Sequence, residues 1–148
     1  IAAGGIATGR SMLAAMILGA EAVQIGSRFV CTPEASSHIH FKNKIVEAEE
    51  GQTELVLKKL TPVRLLKNEF YNQVKDAEGH CMSDAALTEL LGRGRAKKGM
   101  FEGDLTEGEL EIGQISGLIH DIQPVSKIIE SILTEFQLAQ KESVQWVF

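Results

Sequence analysis

The chain has 148 residues, enough for one domain of ordinary size, with 44% hydrophobic and 24% charged residues. Its formal net charge of -5 argues against nucleic acid as a partner. The one basic run, Arg93-Gly94-Arg95-Ala96-Lys97-Lys98, has Glu102 and Asp104 beside it and reads as a solvated loop. Cys31 and Cys81 make neither a disulfide framework nor a metal spacing, and no apolar run approaches the ~20 residues that span a bilayer. A reducing, cytoplasmic setting is expected, with no membrane or metal partner.

Residues 1–3 are a short apolar run that reads as a buried strand, and Gly4-Gly5 breaks it. Residues 8–19 carry a helical pattern, with Leu13, Met16, Ile17 and Ala20 on one face. Strand, glycine turn and helix start together suit an oxyanion. Glycine lets the backbone approach closely, and the first helical N–H groups point at the ligand. A plain tight turn accounts for the same residues equally well. Residues 22–25 give a second strand, stopped by Gly26-Ser27. Two parallel strands joined by a helix end on one edge of a sheet, so Gly4-Gly5 and Gly26-Ser27 are expected as neighbours. Thr32-Pro33 has the form of an N-cap and first helical residue, and predicts a helix to about residue 51.

Residues 53–68 hold short apolar pieces interrupted by Thr61-Pro62, a hairpin-like excursion. Within it Arg64 and Lys67 suit either surface ion pairs or an acidic or phosphorylated arm of a partner. Residues 84–91 predict a short helix ending at Gly92, and 92–108, with five glycines, a loop. Two helices are predicted next, over 109–121 and from 124 to about 142. The second carries Val125, Ile128, Ile129, Ile132, Leu133 and Phe136 along one stripe. Tyr71 and Trp146 read as packing residues. His38 and His40, two apart in the predicted helix, should point to different faces, and His80-Cys81 is a loop pair without further ligands. The chain thus divides into an α/β part over 1–52, a loop-rich excursion with one short helix over 53–108, and C-terminal helices over 109–148.

The stretches "AAGGIATGR" and "LGAEAVQIGSRFV", supported by "TPVRLLKN" and "GELEIGQISGLI", resemble the nitronate monooxygenase (2-nitropropane dioxygenase) family, which includes flavin-dependent enoyl-acyl-carrier-protein reductases. The resemblance implies a (β/α)8 barrel that holds FMN, of which this chain would carry the last two strands with their helices and a helical tail. Such barrels take about 250 residues and bind phosphate with the loops after strands seven and eight. By resemblance Gly4 and Gly5, with Ala3 at the edge, are the first of these loops, and Gln24, Gly26 and Ser27 the second. Gly113 and Gln114 match a further cofactor contact. Thr8 stands where the family often has Asp, and Ser27 where it often has Thr.

The family's catalytic histidine belongs to a Gly-Gly-His type motif on an earlier strand. None of His38, His40, His80 and His120 has that context, so no catalytic residue is expected here and this chain alone should not turn over. The implied reaction is FMN-dependent oxidation of nitronates with oxygen. The alternatives are NAD(P)H-dependent enoyl reduction on the same scaffold, a nucleotide-binding barrel of the inosine monophosphate dehydrogenase kind, and a module that only binds or oligomerises. The implied partners are a nitronate or an enoyl thioester, with NAD(P)H, an acyl carrier protein and a second copy of the chain as further candidates.

Overall fold

The structure, a computed structural model, describes residues 1–145; Trp146 lies outside them. Strand β1 (Ala2–Ala3) pairs in parallel with β2 (Val23–Gln24), Ala2 opposite Val23 and Ala3 opposite Gln24. Helix α1 (Gly9–Ile17) makes the crossover. Thr8 caps it: Thr8 Oγ1 accepts the Ser11 N–H, and Ser11 Oγ accepts the Thr8 N–H, each at 3.1 Å. Both are helix-start donors that water would otherwise have to satisfy. Arg10 finds its carboxylate elsewhere, at Glu142, 2.5 Å away.

The next stretch differs from expectation. Instead of one helix running to residue 51, there is a single turn of helix α2 (Ser27–Val30), an irregular link, and then α3 (Ile39–Val46). Thr32 Oγ1 does accept the Ala35 N–H at 3.1 Å, but the turn goes no further. The carbonyls of Thr32 and Ala35, which a helix would offer to N–H groups four residues on, are taken by the buried Lys42 ammonium at 2.6 and 2.8 Å. The cap of α3 is His38, whose Nδ1 accepts the His40 N–H. His38 is thus outside the helix, and its ring meets that of His40 edge-on at 4.5 Å rather than facing away.

An antiparallel hairpin follows, β3 (Thr53–Val56) and β4 (Val63–Leu66), with Val56 opposite Val63. Residues 109–112, predicted as helix, instead run extended along β4: Leu66 N–H donates to the Leu110 carbonyl and Ile112 N–H to that of Arg64. A short 3-10 helix (Gln114–Leu118) comes after. The segment read as loop-rich contains an element that sequence reading left unassigned, α4 (Glu69–Gly79), packed through Phe70, Tyr71, Val74 and Ala77. Its N-cap Asn68 accepts the Tyr71 N–H and donates to the carbonyls of Leu105 and Gly108. Helix α5 (Asp84–Leu91) ends at Gly92 as predicted, and a π-helical turn (Lys97–Phe101) interrupts the glycine-rich loop.

The pleat of β4 feeds two cores. Leu65 joins Val56, Leu57, Phe70, Tyr71 and Val74 between hairpin and α4, while Leu66 joins Cys31, Phe41, Ile45, Leu110 and Ile112 beside α3. Helix α6 (Val125–Ser143) packs on α1. Its buried row is Ile128, Ile132 and Ala139, each isoleucine contributing about 1.5–3 kcal/mol. Ile129 and Leu133, predicted on the same stripe, are 45% and 47% exposed, and Ile17 at the end of α1 is 65% exposed. Among the described residues the main packing of α6 is on α1, and one narrow row serves that contact.

Candidate functional site

At the carboxyl edge of β1 and β2 the chain turns twice. Gly4 and Gly5 leave β1 with φ of +87° and +70°, a left-handed geometry that other residues adopt only under strain. Two residues after β2, Gly26 and Ser27 start α2. The parallel register puts these turns side by side, and a cavity of about 240 Å³ opens between them. Ala3, Gly4, Gly5, Gln24, Gly26, Ser27 and Gly113 all line it, together with Ile6 and Ile115.

Of the residues predicted for a cofactor, the structure therefore brings seven together. The eighth, Gln114, lines an adjoining cavity of about 490 Å³ that shares Gly5 and Ile115 with the first. Ile6 and Ile115 were missed. Their signal in the sequence is weak, an isoleucine next to each glycine pair or Gly-Gln step.

The smaller cavity sets backbone donors among apolar side chains, Ala3, Ile6 and Ile115. Among the described residues, the backbone N–H groups of Gly5, Gly26 and Ser27 make no hydrogen bond, while that of Gly4 continues the ladder toward the Gln24 carbonyl. A Cβ added at Gly4, Gly5 or Gly26 would meet nothing within 4 Å, so the bare backbone is open to a ligand. Ser27 Oγ accepts the Gly113 N–H at 3.1 Å. Among the described residues, no cationic side chain lines the cavity. Arg28 instead pairs with Asp121 at 2.5 Å and donates to its carbonyl at 3.0 Å. Cys31, behind α2, is fully buried, and burial pushes its thiol up to about 11. It is a packing residue, not a nucleophile.

The remaining perturbed groups lie away from this edge. Lys75 and Tyr71 hold the Glu54 carboxylate down to about 2, and burial with the Glu54 bond pushes Tyr71 up to about 12. Arg64 donates to the carbonyl and hydroxyl of Thr53, and Lys67 lies 6.0 Å from the Tyr71 ring centre. Both are engaged within the hairpin and α4 region.

This parallel β-α-β unit, with a cavity at its carboxyl edge, is a piece of a (β/α)8 barrel, the fold of the solved structures that this chain matches. Residues 1–135 match the family model described as nitronate monooxygenase, and the chain belongs to that family. A probable nitronate monooxygenase of Staphylococcus saprophyticus is 28% identical over 137 residues, covering 91% of this chain and 38% of its own length. Among solved structures, FabK from Thermotoga maritima is 40% identical with a TM-score of 0.90, over 98% of this chain and 46% of that one. The nitroalkane oxidase of Streptomyces ansochromogenes is 25% identical with a TM-score of 0.72, over 95% and 40%. The chain thus spans under half the length of these relatives. Among the described residues no helix is long and apolar enough to cross a membrane.

Proposed function

We propose that the edge of β1 and β2 holds the phosphate end of FMN in a flavin-dependent oxidoreductase of the nitronate monooxygenase type. One observation carries the reading: two glycine turns from adjacent parallel strands present unpaired N–H groups and a serine hydroxyl to one cavity. A phosphate is held well by such an array, because each N–H donates toward the anion from backbone that the fold already fixes. The volume supports the same division of labour. Whole cofactor sites run to about 300–1,000 Å³, so a cavity of about 240 Å³ suits one end of FMN rather than all of it. The flavin supplies two-electron chemistry when bound; these residues anchor and orient it.

The nitronate reading, oxidation of a nitronate with oxygen, rests on the family model and on curated relatives named as probable nitronate monooxygenases. A second reading, NAD(P)H-dependent reduction of an enoyl thioester, draws support from the FabK match, which exceeds that of nitroalkane oxidase in identity and in TM-score. Fluorescence titration of the purified protein with FMN and with riboflavin tests the cradle: FMN should bind at least tenfold more tightly, because only it carries the phosphate. Equal affinity for the two would remove the proposal. Nitrite release from a nitronate against NAD(P)H oxidation with crotonyl thioester then separates the substrates.

A further inference from the structure

The Ser27 hydroxyl is satisfied on one side only. It accepts the Gly113 N–H at 3.1 Å, and among the described residues nothing accepts its own proton. A hydroxyl gives one hydrogen bond and takes up to two. With a lone pair already occupied by Gly113, the hydroxyl is predisposed to turn its proton into the cavity that both residues line. The backbone of Gly113, at φ -69° and ψ 155°, is ordinary for any residue, so conformation does not demand glycine there. Proximity does. A Cβ at position 113 would stand 2.6 Å from Ser27 Oγ but 3.9 Å from Ser27 Cβ.

Resting on the phosphate reading above, we propose that Gly113 is a positioning residue: its N–H fixes Ser27 as a donor to the phosphate, and so links phosphate binding to the docking of the 110–118 segment. An unheld hydroxyl turns freely and presents a lone pair to an anion as readily as its proton. Gly113, 86 residues away in sequence, removes that freedom. The segment is itself seated by the Leu66–Leu110 and Ile112–Arg64 backbone bonds, so its position is set by the hairpin. By reciprocity, a phosphate that favours the Ser27–Gly113 pair must also favour the docked segment.

The test compares FMN with riboflavin in fluorescence titrations of wild-type protein, Gly113→Ala, Ser27→Ala and the double variant. A lost hydrogen bond to a charged group is worth about tenfold or more in affinity. Gly113→Ala should therefore weaken FMN by at least that factor and leave riboflavin unchanged. Ser27→Ala should do the same, and adding Gly113→Ala to it should do nothing more, since the alanine clears position 113. Hydrogen exchange on wild-type protein needs no variant: FMN, but not riboflavin, should slow exchange at residues 113–116. Unaltered FMN binding by Gly113→Ala, an equal loss of riboflavin, additive losses in the double variant, or no FMN-specific protection would each overturn the proposal. Failure of wild-type protein to prefer FMN would instead bring down the cradle itself.

Discussion

The N–H of Gly9, at the head of α1, donates to Glu135 Oε2 of α6 at 2.8 Å, across 126 residues of sequence. The bond places a carboxylate at the positive end of α1, where it complements the free N–H groups and the helix dipole. It also requires α6 to come very close. A Cβ at Gly9 would lie 2.2 Å from Phe136 N and 2.3 Å from the Ile132 carbonyl oxygen, which is backbone that cannot swing aside. Gly9→Ala should therefore pry α1 from α6 and lower stability by about 1–3 kcal/mol or more, as overpacking does. Glu135→Ala, which removes only the bond to the Gly9 N–H and leaves the Thr8 cap, should cost about 1 kcal/mol. Urea unfolding of both variants checks the order; an alanine at position 9 that costs less than the loss of that bond would contradict this packing.

Gly26 offers the converse case. A Cβ there meets nothing within 4 Å, so a larger side chain has room in the protein but fills the cavity between the two turns. Gly26→Val should leave the far-ultraviolet dichroism and thermal midpoint close to those of the wild type while lowering FMN affinity at least a hundredfold. Retained affinity would show that the phosphate sits elsewhere.

How the cavity comes together was largely legible in the sequence, because local rules fix it. A strand, a glycine turn, a helix and a second strand leave the two turns on one edge whatever follows them. The tail was read less well, for identifiable reasons. Glu109-Leu110-Glu111-Ile112 alternates with period two, yet its neighbouring glycines and apolar residues also allow a helix, and only the bonds to Arg64 and Leu66 select the strand. Thr32-Pro33 is a genuine helix-start pair whose continuation is intercepted by Lys42 from ten residues on. Helix α4 went unassigned because its buried row, Phe70, Tyr71, Val74 and Ala77, is set among charged and amide residues with a low average hydropathy. The Gly113–Ser27 bond joins residues too distant for any local pattern to show.

The two thiols should differ sharply in reactivity. Cys31 is fully buried and its thiol is pushed up to about 11 by desolvation, with Arg28 and Lys42 opposing. Cys81 is exposed. Since the thiolate is the reactive form, iodoacetamide at pH 8 should label Cys81 within minutes and Cys31 only after unfolding. Peptide mass mapping with and without urea reads this out, and prompt labelling of Cys31 in the folded protein would show that α2 and α3 do not seal it.

Glu109 gives a pH dependence whose sign is opposite to that of an ordinary paired carboxylate. It opens the extended segment and is buried there, and desolvation, reinforced by the charge of Glu111, raises its pKa above the usual 4.5, with Arg95 opposing. The folded state therefore holds this proton more tightly than the unfolded chain does. On its account stability is greatest below about 4.5, where both states are protonated, and falls as pH rises through the raised folded value. At neutral pH the fold carries a poorly solvated charge. Glu109→Gln keeps the shape and removes the charge, so at pH 7 the variant should be more stable than the wild type. That advantage should shrink on acidification through the raised folded value and vanish only below pH 4.5, where the carboxyl is protonated in both states. Urea midpoints of both proteins at pH 7, 5.5 and 4.5 measure the gap. A gap that stays constant would mean that shape rather than charge separates the two, and one that widens toward acid would reverse the assignment of Glu109 as the group the fold prefers protonated.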